Sequence, residues 1–268
     1  MIYIRKDVLS LRILLIRHAE PDYTIDSLTP KGCMEAELLS RRLINYQIRD
    51  YFCSPLGRAR DTAAYTLEKL GREAEILPWL EEFRGNCPDP ETGKSREIVW
   101  DFLPRTWTGF PGITDINTWY TAPVFLGGNV CEVWQETKDG VNELLGRYGY
   151  TKDGPVWRCA ENSDFTIALF CHFGISMAVL GYLTDISPMV LWHRVLCCPS
   201  SVTEVVTEER IKGEVSFRII KLGDLTHLES AGEIRSTSGL FPEIYTGIDS
   251  TDPDVNGTRW KTGGRGIF

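Results

Sequence analysis

At 268 residues, 43% of them hydrophobic, the chain is long enough for one large α/β body with an elaborated insertion, or for two modest domains. Its formal net charge of −8 argues against nucleic acid as a partner, because binding along a phosphate backbone calls for a basic surplus. An anionic small ligand remains compatible, provided that a few arginines are focused in one place.

The apolar stretch near Leu11 to Ile16 is far too short to span a bilayer, and it runs into charged residues without a small-residue cleavage site. Neither a membrane anchor nor a signal peptide is expected. The same run, LRILLI, breaks into Arg17, His18 and Glu20, which suits a strand buried on both faces that ends at a polar site. Thr29-Pro30 then reads as an N-cap followed by proline in the first helical position, and Cys33, Ala36, Leu39, Leu43 and Ile44 supply an apolar face, which predicts a helix over about 30–45. Ile48 to Cys53 form a second strand candidate. Ser54-Pro55 repeats the cap-plus-proline start, Ala59, Ala63, Leu67 and Leu70 fall at helical spacing, and Gly71 is placed to end that helix.

Residues 84–140 differ in character, being rich in Gly, Pro and aromatics, with Trp100, Trp107, Trp119 and Trp134 and little clear periodicity. They read as an inserted cap whose aromatic side chains suit either its own core or a wall facing a substrate. Thr166 to Cys171 (TIALFC) is another apolar strand; it runs into His172 and Gly174 and then the helix-like ISMAVLGYL. Three strand-to-polar-to-helix units imply a parallel sheet with crossover helices, in which ligands gather beyond the carboxyl ends of the strands. Residues 201–206 and 215–221 alternate around a Lys212-Gly213 turn, predicting a hairpin near the sheet edge that could pair with a second chain or complete its own sheet, so the oligomeric state stays open. Residues 230–268 are rich in Gly, Ser, Thr and Asp with few apolar anchors and read as a C-terminal extension. Eight cysteines lie scattered without a CxxC pair, which fits a reducing, cytoplasmic setting.

If the sheet is parallel, Arg17 and His18 at the first strand end, Arg58 at the start of the second helix and His172 at a later strand end converge on one rim. Two guanidiniums and two imidazoles make a small electropositive pocket matched to phosphate oxygens. Positive neighbours disfavour protonation of His18 and keep it the neutral nucleophile that attack on phosphorus requires. His193 and His227 are read as structural.

The segments LLIRHAEPDY, LTPKG, SPLGRARDTAAYTL, LPWLEEFRG and ALFCHFGIS, in that order, resemble the successive motifs of the histidine phosphatase superfamily, the phosphoglycerate mutase-like or RHG family. The resemblance covers roughly residues 11–83 and 140–228. With the strand pattern it leads to an α/β fold, a three-layer sandwich with a mostly parallel central sheet, helices on both faces and an inserted cap. Residues 1–268 are then one domain with the cap at about 84–140 and the extension at about 230–268. The resemblance implies that His18 accepts the phosphoryl group of a small phosphorylated substrate. It implies that Arg17, Arg58 and His172 hold the equatorial oxygens, with His172 counted among the catalytic groups, and that Glu82 is the general acid, with Glu81 as fallback; no metal or other cofactor is implied. Thr24 stands where many relatives carry a phosphate-binding asparagine and is the counterpart here. Ala19 replaces the usual glycine after the histidine, a change tolerable where the backbone does not need positive φ, and Phe173 replaces a glycine after His172. The implied activity is hydrolysis of a phosphomonoester through a phosphohistidine, of the histidine acid phosphatase type. The alternatives are a mutase-like phosphotransferase and a non-catalytic relative that binds a phosphorylated ligand.

Overall fold

A computed structural model of the chain describes residues 10–239 except 91 and 97. An eight-stranded sheet carries strands β1 (Arg12–Arg17), β2 (Ile48–Cys53), β3 (Glu75–Ile76), β4 (Tyr150–Asp153), β5 (Val156–Cys159), β6 (Thr166–Cys171), β7 (Val202–Ile211) and β8 (Glu214–Asp224). Their order across the sheet is β3-β2-β6-β1-β7-β8-β5-β4. The first four are parallel, and two antiparallel hairpins complete the other side, so that only β7 and β5 run against β1.

The alternation of side chains in the central strands separates two cores. Leu14, Ile16, Ala168 and Phe170 pack beneath helices α1 (Pro30–Leu43) and α2 (Gly57–Leu70), through Leu39, Leu43, Ala59 and Ala63. Ile13, Leu15, Ile167, Leu169 and Cys171 join the larger cluster on the opposite face, with helices α3 (Val130–Gly146), α4 (Phe173–Thr184) and α5 (Pro188–Arg194). Helices therefore cover both faces, as expected. Helix α4 is apolar all round because it lies between the sheet and α3 and α5.

Several elements follow the sequence pattern closely. Thr29 caps α1, accepting the Gly32 N–H at 3.0 Å, and Pro30 opens the helix. Gly71 closes α2 in the left-handed region with φ 60°. The expected Ser54 cap does not form: α2 starts at Gly57 after an uncapped Leu56, and the Ser54 hydroxyl is engaged elsewhere. The predicted hairpin exists, but not near the edge. β7 pairs with the central β1, and β8 is covered in turn by β5, so its apolar residues complete the chain's own sheet. The β4–β5 hairpin went unread, although its Asp153-Gly154 turn, with Gly154 at φ 59°, is a strong hairpin signal. Helix α3 begins within the segment read as having little clear periodicity and runs past its end, with Val130, Trp134, Thr137, Val141 and Leu144 on its buried face, so the boundary placed at about 140 falls inside a helix. Most of the expected C-terminal extension, 240–268, lies outside the described residues.

One close approach ties α1 to the polar end of β1. A Cβ on Gly32 would stand 2.1 Å from the Glu20 carbonyl oxygen, so only glycine lets the helix lie against the loop after His18. Gly32→Ala is expected to cost about 1–3 kcal/mol, the usual range for overpacking, measured by urea unfolding. An unchanged midpoint would show that α1 docks differently.

Candidate active site

The parallel register decides which groups meet. Arg17 pairs with Cys171, the His18 amide donates to the Cys171 carbonyl at 2.9 Å, and the Ser54 amide donates to the Phe170 carbonyl at 2.9 Å. The carboxyl ends of β1, β6 and β2 thus finish on one line, placing His18, His172 and Ser54 side by side. The two imidazole rings are 5.1 Å apart between centroids.

His18 is buried, and its Nδ1 lies 2.8 Å from the Ala19 carbonyl. A carbonyl can only accept, so the proton sits on Nδ1 and the lone pair is on Nε2. Burial, then Arg17 and Arg58, hold the imidazole pKa well below its usual range. Ala19 is not among the positive-φ residues, so its Cβ is accommodated. Its amide donates to Thr62 Oγ1 at 2.9 Å, and the next amide, of Glu20, donates to Glu35 Oε2 at 2.9 Å, with the Glu35 carboxyl pushed up by burial to about 7.

His172 caps α4 and is fully buried. Its Nε2 lies 2.7 Å from Ser54 Oγ, which itself accepts the Leu56 N–H at 3.2 Å. With the Ser54 hydroxyl donating to Nε2 the imidazole proton sits on Nδ1, and with the roles reversed it sits on Nε2; Nδ1 has no protein partner among the described residues. Burial, followed by His18, Arg58 and Arg17, lowers its pKa as well.

Both arginines are buried and each is held by one arm. Arg17 Nη1 donates to the Cys197 carbonyl at 2.6 Å, and Arg58 Nη1 to Asp26 Oδ1 at 2.6 Å. The Nε of each lacks a protein partner among the described residues. Glu82 closes the cluster: buried, it accepts the Phe83 and Ile175 amides at 2.9 and 3.1 Å through Oε1, at the start of α4. Burial raises its pKa, against those amides and both arginines. Glu81 instead faces outward and pairs with Arg84 at 3.0 Å, so the geometry separates the two glutamates.

Thr24 does not join this group. It is exposed, and both its amide and its hydroxyl donate to Asp22 Oδ1, at 2.9 and 2.6 Å. The adjacent Tyr23 enters instead, its hydroxyl buried within reach of Arg17, Arg58 and Glu82 and its ring 5.4 Å from Arg58 Cζ. Sequence reasoning also missed Asp26, which sits at φ 48° and reaches the Gly57 amide at 2.7 Å as well as Arg58, and Ser54. Neither carries a local signal, since each acts across the fold. His193 uses both nitrogens, with Met189 O at 2.8 Å and the Phe102 amide at 3.2 Å, and His227 Nε2 meets Ser200 Oγ at 3.1 Å, which accords with structural roles. Among the described residues no group of three or more His, Cys, Asp or Glu is arranged to hold a metal ion.

The family model for the histidine phosphatase superfamily (branch 1) matches residues 13–218. A Schizosaccharomyces pombe protein named as a probable phosphatase is 26% identical over 236 residues, which span 82% of this chain and 96% of that protein. The fold is similar to that of a mycobacterial glucosyl-3-phosphoglycerate phosphatase, with a TM-score of 0.53 and 21% identity over 80% of this chain and 99% of the other. An Entamoeba histolytica phosphoserine phosphatase gives 0.53 at 18% identity, over 81% and 99%.

Both buried imidazoles should remain neutral well below the ordinary histidine range of about 6.5. The unfolded chain then takes up these protons first, so stability falls as pH drops below that value. Nitrogen-15 NMR titration of the imidazoles is the direct check. A midpoint near the ordinary value for either ring would mean that the site is open to water.

Proposed function

The chain belongs to the histidine phosphatase superfamily, and we propose that it hydrolyses a small phosphomonoester through a phosphohistidine on His18. The observation that carries this reading is the set of buried polar nitrogens without protein partners among the described residues, Arg17 Nε, Arg58 Nε and His172 Nδ1, around a neutral imidazole whose Nε2 carries the lone pair. Each unmatched buried polar group costs about 1–3 kcal/mol, a cost that a dianionic phosphate binding there would offset. That the relatives named above are phosphatases supports the same reading.

In the first step His18 Nε2 attacks phosphorus in line with the departing oxygen, forming the N–P bond as the P–O bond breaks. Charge spread over the equatorial oxygens is stabilised by Arg17, Arg58, Tyr23 and His172, the preorganised electrostatic service that phosphoryl transfer mainly needs. Glu82, protonated because it is buried, gives its proton to the leaving oxygen. As a carboxylate it then takes a proton from water, whose oxygen attacks phosphorus and breaks the N–P bond. Asp26 and Ser54 act as positioning residues, holding the Arg58 guanidinium and the His172 ring.

His18→Ala should lower kcat with p-nitrophenyl phosphate by at least about a thousandfold, since the covalent route is lost. Acid-labile, alkali-stable label should appear on His18 of the wild type after a rapid alkaline quench; equal rates in wild type and variant would sink the assignment. The pH profile follows from two opposed shifts. Activity needs neutral His18, so its acid limb lies well below the usual imidazole range, and it needs protonated Glu82, so it is lost as pH rises through a value above the ordinary carboxylate range. The optimum lies between these two limbs. Glu82→Gln should remove the alkaline limb with substrates whose leaving group needs a proton.

A further inference from the structure

Beside the phosphate cluster lies a cavity of about 230 Å³ between the start of α4, helix α5 and residues 100–107. Its walls include Trp100, Phe102, Trp107, Phe173, Trp192 and Leu196, and Arg17 forms part of its boundary with the phosphate cluster. The rings are held in place rather than loose. Trp192 Nε1 donates to the Gly174 carbonyl at 2.8 Å, its ring lies 5.8 Å from that of Trp100, and Trp107 stacks on His193 at 4.9 Å. Arg17 Cζ is 5.8 Å from the Phe173 centroid.

Glu82, the proposed general acid, lines a neighbouring cavity, and Trp100 of this wall approaches it. A Cβ placed on Gly174 would meet the Trp100 ring at 2.7 Å and Glu82 Oε1 at 2.8 Å, so the indole and the carboxyl crowd the same point. A proton leaving Glu82 passes to the departing oxygen, and a leaving group on that oxygen that extends toward Trp100 enters this cavity. The charges on this wall are few. Arg17 already serves the phosphate, Asp101 is an acid, and His193 is engaged at both nitrogens. A second phosphate or a carboxylate on the leaving group would find no further cation among the described lining residues. A flat apolar group would bury its faces against indole and phenyl rings, and a space of about 150 Å³ is enough to hold benzene.

We propose that this aromatic cavity is the leaving-group site and that the chain acts on phosphomonoesters of aromatic alcohols with one or two rings. The proposal rests on the phosphatase reading above and adds the substrate class. It is tested with the full chain and three esters whose leaving groups are all alkyl alcohols, so that intrinsic reactivity does not decide the result: benzyl phosphate, glycerol 3-phosphate and 3-phosphoglycerate. The expected kcat/KM for benzyl phosphate exceeds the other two by at least about tenfold. Leu196 is half exposed at the rim, so Leu196→Glu can be made without disturbing the core. It should lower the benzyl-to-glycerol ratio by about fivefold or more, mainly through KM. Comparable turnover of all three esters, or a ratio unchanged in a Leu196→Glu protein that retains the wild-type thermal midpoint, overturns the substrate class and leaves the phosphatase reading standing. Turnover of none, with no label on His18, removes both.

Discussion

Two guanidiniums and two imidazoles repel one another's protonated forms when they are gathered in a buried pocket, and this constraint organises the molecule around them. The arginines keep their charge, so the histidines must give theirs up, and burial acts in the same direction. The cations are then held apart by anchors that leave part of each guanidinium uncommitted. Arg17 is pinned to a backbone carbonyl and Arg58 to a carboxylate. In the proposed mechanism a phosphate dianion satisfies these groups together. The neutral form of His18, which burial and cations enforce for electrostatic reasons, is also the form that can attack.

The rest of the fold supplies support at very short range. A Cβ on Gly57 would stand 2.0 Å from the Asp26 carbonyl oxygen, so glycine there lets the Asp26 loop reach the start of α2 and present its carboxylate to Arg58. Gly174 does the same at the start of α4, where Glu82 accepts the Ile175 amide and shares its space with Trp100. The residues proposed as acid, nucleophile and phosphate donors are thus fixed to helix starts and strand ends rather than to free loops. Positions so fixed need little reorganisation when charge moves.

The aromatic segment divides its labour. Trp119 and Trp134 meet at 5.3 Å, and Trp119 packs on Trp192 at 5.4 Å, forming a core continuous with the sheet. Trp100 and Trp107 belong to the same apolar cluster yet also line the cavity beside Arg17. Of the two readings left open by composition, Trp119 and Trp134 fit the core, while Trp100 and Trp107 belong to the core and also line the cavity for which a substrate role is proposed.

Periodicity and punctuation in the sequence determined the strand-helix units from β1 to α2, β6 with α4, and the strand ends at which Arg17, His18 and His172 stand, because these depend on contacts between near neighbours in the chain. The motif order also singled out Glu82. What lay beyond the sequence was whatever depends on partners distant along it. Thr24 and Tyr23 are adjacent, and only the path of the loop turns the tyrosine inward and spends the threonine on Asp22. Ser54 reads locally as a helix cap, but the parallel register of β2 with β6 sets it against His172, 118 positions away. The hairpin placed near the edge lies inside because β7 pairs with β1, a choice that strand propensity does not encode. The residues at the strand ends were therefore written in short motifs, while the contacts of the two imidazoles, the arginine anchors and the aromatic cavity were decided by tertiary packing, which alone brings such distant groups together.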